Sequence, residues 1–433
     1  MEEFVLDTGN TAWMLTAASL VLLMTPGLAF FYGGMVRGKS VLNMMMMSFG
    51  AIGVVSLIWV LYGYSGTFGT DVAGFFGNPF DFFGLAGMTD EDSLMKATGV
   101  PALVAVGYQA TFAIITVALI SGAIADRTKY STWLAFSAVW VTVVYIPLAH
   151  MVWGGGHLGA DGITSALSTP IDFAGGTVVH INAGVAGLVL ALVIGKRRGF
   201  AKEPMRPHNL PFVMLGAALL WFGWFGFNAG SEFGADNVSG RAWVNTLVAT
   251  AVAMLAWLVT EKFRDGHATS LGAASGVVAG LVAITPAAAA VDTFGAIAIG
   301  AVAGVLCALA VGLKYKFGYD DSLDVVGVHL VGGLVGTVLI GLFSTDANST
   351  WYPDGALNGL FYGGGLTQLG TQIIVALVAM VFSGLATLVI ALILKATMGW
   401  RVSDEAEVGG VDLAVHGETA YETLGARIIT EVK

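Results

Sequence analysis

The sequence predicts an all-α polytopic membrane protein with eleven membrane-spanning helices. Composition, the length of the apolar runs and the placement of basic residues support this prediction. Of the 433 residues, 56% are hydrophobic and only 11% are charged, whereas soluble domains carry about 25% charged residues. The chain therefore cannot cover a water-facing surface of its size. Its 60 glycines are typical of membrane helices that pack closely through small residues.

A membrane-spanning helix needs about 20 consecutive apolar residues. Eleven such runs follow one another along the chain, at about 11–33, 41–67, 100–124, 131–154, 173–195, 210–230, 242–261, 270–288, 294–315, 325–343 and 367–396. They define a membrane domain over residues 1–397 and a polar tail over 398–433. Because the number of runs is odd, we expect the two termini on opposite sides of the membrane.

The basic residues predict the orientation. The connections after odd-numbered runs, together with the tail, hold 17 of the 19 Lys and Arg residues, and only Lys96 and Arg241 fall on the other side. Cytoplasmic segments carry this excess of positive charge. The sequence therefore predicts an extracellular or periplasmic N-terminus and a cytoplasmic C-terminus in the cell (inner) membrane.

The fifth and tenth runs resemble each other. In "DFAGGTVVHINAGVAGL" (172–188) and "DSLDVVGVHLVGGLVGT" (321–337), Asp precedes His by eight residues, and Gly follows His at the fourth and seventh positions. The tenth run comes five helices after the fifth, an odd number, so the two runs cross the membrane in opposite directions. The pattern predicts an inverted repeat of helices 1–5 and 6–10, with the eleventh helix outside it, an architecture common among transporters.

His180 and His329 are the histidines of these two runs. Each lies about 12 Å from the start of its helix, and the two helices start on opposite faces of the membrane. In a hydrocarbon core about 30 Å thick, the depths of the two histidines therefore differ by only about 6 Å. We therefore expect them to form a pair near the midplane. Polar groups at that depth face a partner or a cavity. A structural hydrogen bond between helices and ligation of haem iron are the alternatives to a transport role.

A second group of candidate residues lies towards the predicted outer face of the membrane, where runs 4 and 6 end and run 3 begins. Phe227 and Ser231 are one helical turn apart, as are Tyr108 and Phe112, so each pair shares a helix face. Trp153 ends the fourth run. Trp153 and Tyr108 could form an aromatic cage for a small cation. Interfacial anchoring of Trp153 and core packing of the two Phe residues are the alternatives.

A cation cage above an apolar bore suits a weak acid, because a bare ion in hydrocarbon is very costly. A small cation that loses a proton at the boundary can cross as a neutral molecule. Ammonium is the obvious candidate.

Four segments resemble motifs of the ammonium transporter (Amt/Mep/Rh) family, in the family's order and spacing: "HMVWGGG" (150–156), "DFAGGTVVHINAG" (172–184), "WFGWFGFNAGS" (221–231) and "DVVGVHLVGG" (324–333). The resemblance extends from about Trp13 to the tail and is closest to bacterial and archaeal Amt proteins. It implies a homotrimer in the lipid bilayer, with one pore of eleven helices in each protomer.

The same resemblance assigns roles to single residues. It implies an outer ammonium site of Trp153, Ser231 and Phe112 shaped by Asp172, with Tyr108 standing where many relatives have Phe. It also implies a gate of Phe112 and Phe227, a twin-His pair of His180 and His329, and Thr285 near the inner pore wall.

The segment "VGGVDLAVHGETAY" (408–421) resembles the cytoplasmic tail motif of bacterial and archaeal members. In that family PII-type signal-transduction proteins dock on the cytoplasmic face, so the resemblance implies such a partner. The motif residues are Gly410, Asp412, His416, Gly417, Glu418 and Tyr421.

Other function classes are disfavoured. The net charge of −10 is not that of a nucleic-acid-binding protein. The sequence has no Walker A motif, no HExxH and no His or Cys cluster at ligand spacing, so we expect neither an enzyme nor a cofactor or metal. Conduction of another neutral gas, such as carbon dioxide, and a role as an ammonium sensor remain as rival functions. The expected role is ammonium uptake, either as neutral ammonia or with co-transfer of the proton.

Overall fold

The computed structural model describes residues 5–89, 93–95, 98–347 and 351–422. Over these residues eleven helices are long and apolar enough to span a membrane, which confirms the predicted number and order. They are α1 (Thr8–Met35), α2 (Val41–Phe68), α3 (Ala102–Ile124), α4 (Tyr130–Trp153), α5 (Gly176–Ile194), α6 (Leu210–Glu232), α7 (Asn237–Asp265), α8 (Ser270–Ala287), α9 (Thr293–Phe317), α10 (Val326–Phe343) and α11 (Thr367–Thr397). Lys96, Arg427 and Lys433, counted in the charge distribution, lie outside the described residues.

Polar side chains mark the starts of several of these helices. The side chains of Asp7, Asn209, Asp236, Thr269 and Asp292 accept hydrogen bonds from the first free backbone N–H groups of α1, α6, α7, α8 and α9. Such caps satisfy donors that the helix itself leaves unpaired. Each cap therefore determines where an apolar run becomes helical.

Four of the spanning helices contain a π-helical turn, at Trp59–Gly63, Val141–Tyr145, Gly176–Ile181 and Val326–Leu330. The last two include His180 and His329. Single π turns inside α-helices occur frequently at functional sites. Both predicted histidines therefore occupy the same unusual backbone geometry.

Reciprocal contacts between α5 and α10 confirm the inverted repeat. A Cβ atom added at Gly184 would lie 2.5 Å from the backbone nitrogen of Leu330. One added at Gly333 would lie 3.1 Å from the Cβ of His180 and from the nitrogen of Ile181. Each glycine, four residues after one histidine, thus admits the backbone beside the other histidine.

The repeat extends to α3 and α8. The backbone N–H of Phe173, which follows Asp172, donates to Pro286 O at the end of α8 (3.1 Å), and that of Ser322, which follows Asp321, donates to Ala123 O at the end of α3 (3.2 Å). Both α3 and α8 end in a 3₁₀ turn, at Ser121–Ile124 and Thr285–Ala287. The two halves therefore repeat the same construction in opposite directions.

One end of the bundle, here called the Trp153 end, carries a short antiparallel hairpin. Its strands are β1 (Asp71–Val72) and β2 (Phe76–Gly77), with Asp71 opposite Gly77. His150 of α4 lies 2.9 Å from the Asp71 carboxylate through Nε2, and its Nδ1 lies 2.8 Å from Thr67 O. These contacts attach the hairpin to the ends of α2 and α4.

The opposite end, called the tail end, contains a buried network of charges. Arg197 pairs with Asp126 at 3.2 Å and with Asp320 at 2.8 Å, and Arg37 pairs with Asp126 at 3.3 Å. The tail adds two short helices, α12 (Asp404–Gly409) and α13 (Val411–His416). The Glu407 carboxylate accepts from Arg198 N at 2.6 Å and pairs with Arg401, so the tail is bound directly to the segment that follows α5.

Gly336, seven residues after His329, packs closely on α8. A Cβ atom there would clash with the carbonyl oxygen of Ala283. We expect Gly336→Ala to destabilise the protein by about 1–3 kcal/mol through overpacking, although alanine intrinsically favours helix by about 1 kcal/mol. Gly53 of α2 has open space around its Cα, so Gly53→Ala serves as the control. Thermal unfolding in detergent should show a lower midpoint for Gly336→Ala alone. Equal midpoints would contradict the packing argument.

Candidate functional site

A pocket of about 350 Å³ opens at the Trp153 end. It brings together four of the predicted residues, Phe112 of α3, Trp153 of α4, Asp172 of the segment before α5 and Ser231 of α6. The other lining residues are Tyr64, Phe68, Met95, Ala105, Gln109, Phe173, Phe233 and Trp351. The pocket is therefore mainly aromatic, with a few polar groups.

Trp153 is held by a hydrogen bond from its indole Nε1 to the backbone carbonyl of Asp172 (3.0 Å). Its ring meets Phe112 edge to face, with centroids 6.2 Å apart. The indole N–H is thus used in the wall, and the ring is left to contact whatever enters the pocket.

The Asp172 carboxylate faces the start of α5. It accepts hydrogen bonds from the backbone N–H groups of Gly175 (2.8 Å), Gly176 (2.6 Å) and Thr177 (2.9 Å), and from the Thr177 hydroxyl. Burial raises the pKa of Asp172, and these hydrogen bonds act against that rise. The side-chain carboxylate of Asp172 therefore caps α5, while the backbone carbonyl of the same residue positions Trp153.

Ser231 contributes a hydroxyl to the pocket, but Tyr108 does not line it. The Tyr108 side chain is completely buried, and its hydroxyl lies within hydrogen-bond distance of Gly226 O, Phe227 O and Ser231 Oγ. The structure therefore does not bring Tyr108 into the pocket lining beside Trp153, because its phenol is directed into the last turn of α6.

Phe112 and Phe227 close the floor of the pocket. Their rings are stacked with centroids 4.0 Å apart and planes 15° from parallel, and both side chains are buried. The two rings of the predicted pair are therefore in contact.

Below the rings lies a narrow cavity of about 10 Å³, whose lining includes Phe227, His180, His329 and Trp224. This volume is about that of a single water-sized probe. His180 Nδ1 and His329 Nδ1 are 3.4 Å apart, so the predicted pairing of the two imidazoles is present. A neutral imidazole has one donor and one acceptor nitrogen, so a hydrogen bond between the two Nδ1 atoms requires one of them to carry the proton.

Trp224 was not singled out from the sequence. Its ring stacks on His180 with centroids 5.4 Å apart, and its Nε1 donates to Thr285 Oγ1 at 2.8 Å. Its spacing of three residues from Phe227 is the signal that could have identified it, since residues three apart share a helix face.

Thr285 is fully buried behind Trp224 and does not line the pocket or the narrow cavity. It lies in the 3₁₀ turn that ends α8, next to the Pro286 carbonyl that binds Phe173. The last turn of α8 thus packs on the segment around Asp172, and the assignment of Thr285 to the inner pore wall stays a prediction.

The tail residues lie at the other end. Asp412 accepts from Leu42 N (3.0 Å) and Asn43 N (2.8 Å) at the start of α2. His416 Nε2 lies 3.0 Å from Asn43 Oδ1, and the Tyr421 hydroxyl lies 2.9 Å from His208 Nε2.

The remaining motif residues have simpler positions. Gly410 and Gly417 have positive φ values of 134° and 70°, the region that favours glycine, and they end α12 and α13. Glu418 is exposed. Residues 423–433 of the predicted tail lie outside the described residues.

A continuous arrangement of groups thus runs inward from the Trp153 end: an aromatic and hydroxyl pocket, a stacked ring pair, and two imidazoles among apolar side chains. Within the described ranges no three His, Cys, Asp or Glu side chains are grouped so as to hold a metal ion. The arrangement offers cation contacts at the mouth and neutral hydrogen-bonding groups inside.

This fold and site define a multi-pass membrane transport protein. Residues 12–421 match the model of the family described as Ammonium Transporter Family, and the chain belongs to that family. An "Ammonium transporter" of Mycobacterium bovis is 57% identical over 442 residues, which cover 98% of this chain and 93% of that protein.

Solved structures resemble the chain over nearly its whole length. Mep2 of Saccharomyces cerevisiae matches with a TM-score of 0.82 and 33% identity, covering 92% of this chain and 91% of that one. A "Sensor Amt Protein" matches with a TM-score of 0.84 and 28% identity, covering 94% and 98%.

Asp172→Asn tests the cap of α5. An amide has a single acceptor oxygen and directs its NH₂ group at backbone donors, so several of the hydrogen bonds are lost. Hydrogen bonds to charged groups contribute about 1.5–3 kcal/mol each, and we expect the free energy of unfolding to fall by at least about that amount and transport to be lost. Asp292→Asn is the matched control, since that carboxylate accepts from one backbone N–H (Gly295, 2.8 Å) and from the Tyr362 hydroxyl (2.6 Å). An equal shift in thermal midpoint for the two variants would count against the role of Asp172 as the cap that holds α5.

Proposed function

We propose that the protein carries ammonium into the cell by binding NH₄⁺ at the Trp153 end, removing a proton and passing NH₃ along the two histidines. The observation that carries this proposal is the alignment of the aromatic pocket, the stacked Phe rings and the histidine pair on one path. The family's printed description supports the substrate.

Binding of the cation at the pocket rests on Trp153 and Ser231. An aromatic face attracts a cation by about 1–2 kcal/mol where water is displaced, and the serine oxygen can accept one of the N–H bonds of ammonium. Phe112 forms the third wall. These contacts favour a small cation over carbon dioxide, the rival neutral gas.

Loss of the proton follows from the passage below the pocket. The cavity around His180 and His329 is about 10 Å³ and apolar apart from the imidazoles, and an isolated charge in such surroundings is very costly. Ammonia is neutral and can both donate to and accept from an imidazole nitrogen. Phe112 and Phe227 act as the gate in this scheme, since their contact closes the path.

Two versions of the pathway differ in the fate of the proton. In one it returns to the outer solution and uptake is electrically neutral. In the other it follows along the His180–His329 pair and each nitrogen carries one charge inward.

We propose further that the Trp153 end faces outside and the tail end faces the cytoplasm, as the distribution of Lys and Arg predicts. In this orientation the ordered tail, bound to α2 through Asp412, offers a docking surface for a PII-type protein. Assembly as a homotrimer is part of the same proposal, and a native mass three times that of the chain in detergent tests it. Sensing through a PII partner is a secondary role in this scheme.

The transport proposal is tested with purified protein on a supported bilayer in an ammonium concentration jump. Wild type should give a saturable response that potassium does not produce, and His180→Asp and His329→Ala should lose the response or admit potassium. Current with one charge per nitrogen supports proton transfer through the pair, whereas ammonia entry into vesicles without current supports the neutral pathway. Absence of both current and entry would refute ammonium transport.

Asp412→Ala tests the tail. Loss of its two hydrogen bonds to α2 should release α13, so amide exchange over residues 411–422 should become faster and retention of a PII protein weaker. Glu405→Ala, on the exposed side of α12, is the control and should change neither. Unchanged exchange in Asp412→Ala would show that the carboxylate does not hold the tail.

A further inference from the structure

The Tyr108 hydroxyl contacts the last turn of α6 at three points. It lies 2.8 Å from Phe227 O, 3.0 Å from Gly226 O and 3.2 Å from Ser231 Oγ. Gly226 O also accepts the backbone N–H of Gly230 within the helix. The Tyr108 hydroxyl therefore adds a contact from α3 at the point where α6 contributes its serine to the pocket.

The hydroxyl protons in this cluster can be counted. Ser231 Oγ also lies 2.8 Å from Phe227 O, so the serine proton has an acceptor in the wall. The two carbonyl oxygens only accept, and the Tyr108 proton is directed to a carbonyl or to Ser231. In each of these hydrogen-bonded arrangements the Ser231 proton stays in the wall and a lone pair of its oxygen faces the pocket.

The surrounding residues leave the phenol little freedom. Its ring packs against Phe112 (centroids 4.9 Å) and against Phe233 (5.2 Å). Gly230 provides the space, because a Cβ there would lie 2.9 Å from the Tyr108 hydroxyl oxygen. The phenol is thus held rigidly against Ser231 without itself touching the pocket.

We propose that Tyr108 is a positioning residue that keeps Ser231 as a hydrogen-bond acceptor towards the pocket and so sets the affinity for small cations that carry N–H donors. This inference rests on the proposed function. Tyr108 affects the binding of ammonium rather than its passage, since its hydroxyl contacts Ser231 and the end of α6 rather than the two histidines. Its removal should raise the KM of uptake and leave the maximal rate nearly unchanged.

The experiment is a double-mutant cycle in proteoliposomes, with ammonium as the varied substrate. Tyr108→Phe keeps the packed ring and removes one hydrogen-bonding group, which corresponds to about a three- to tenfold rise in KM. In a Ser231→Ala background the same substitution should cause no further rise, because the serine through which it acts is absent. A purely structural effect of the phenol would raise KM in both backgrounds.

Tyr32→Phe is the matched control. Tyr32 is equally buried, and its hydroxyl donates to the backbone carbonyl of Leu119 at 3.0 Å, about three helical turns along α3 from Tyr108. We expect its KM to equal that of wild type.

Three results would overturn the proposal: a wild-type KM in Tyr108→Phe, an equal rise in the Ser231→Ala background, or an equal rise in Tyr32→Phe. Failure of wild type to take up ammonium would instead refute the proposed function itself, and the inference with it.

Discussion

The close approach of α5 and α10 is the contact on which the proposed passage depends. Gly184 and Gly333 allow each backbone to lie beside the other helix's histidine, and the Nδ1 atoms then meet at 3.4 Å. Side chains at these glycines would separate the imidazoles. Polar groups in a membrane interior need partners, so the glycines provide the proximity that lets the two Nδ1 atoms pair.

Hydrogen bonds at the helix ends keep this contact in place. Asp172 and Asp321 accept from the first N–H groups of α5 and α10, and the residue after each of them binds the end of α8 or α3. The same Asp172 carbonyl holds Trp153. The position of the pocket is therefore linked to the position of the histidines through one short backbone segment.

The tail end is organised around charge rather than aromatic rings. Arg197 lies three residues after the end of α5 and pairs with Asp320, the neighbour of the carboxylate that caps α10. Glu407 of the tail accepts from the next residue, Arg198. The tail is thus linked to both histidine-bearing helices through only one or two hydrogen bonds or ion pairs.

The sequence by itself determined the eleven helices, the inverted repeat and the pairing of His180 with His329, because hydropathy and spacing along a helix are local properties that a chain displays directly. Only the tertiary structure decided that the Tyr108 hydroxyl contacts Ser231, that Thr285 stands behind Trp224, and that Trp224 stacks on His180. Those positions depend on hydrogen bonds and ring contacts between different helices, whose relative rotation and depth no local pattern specifies.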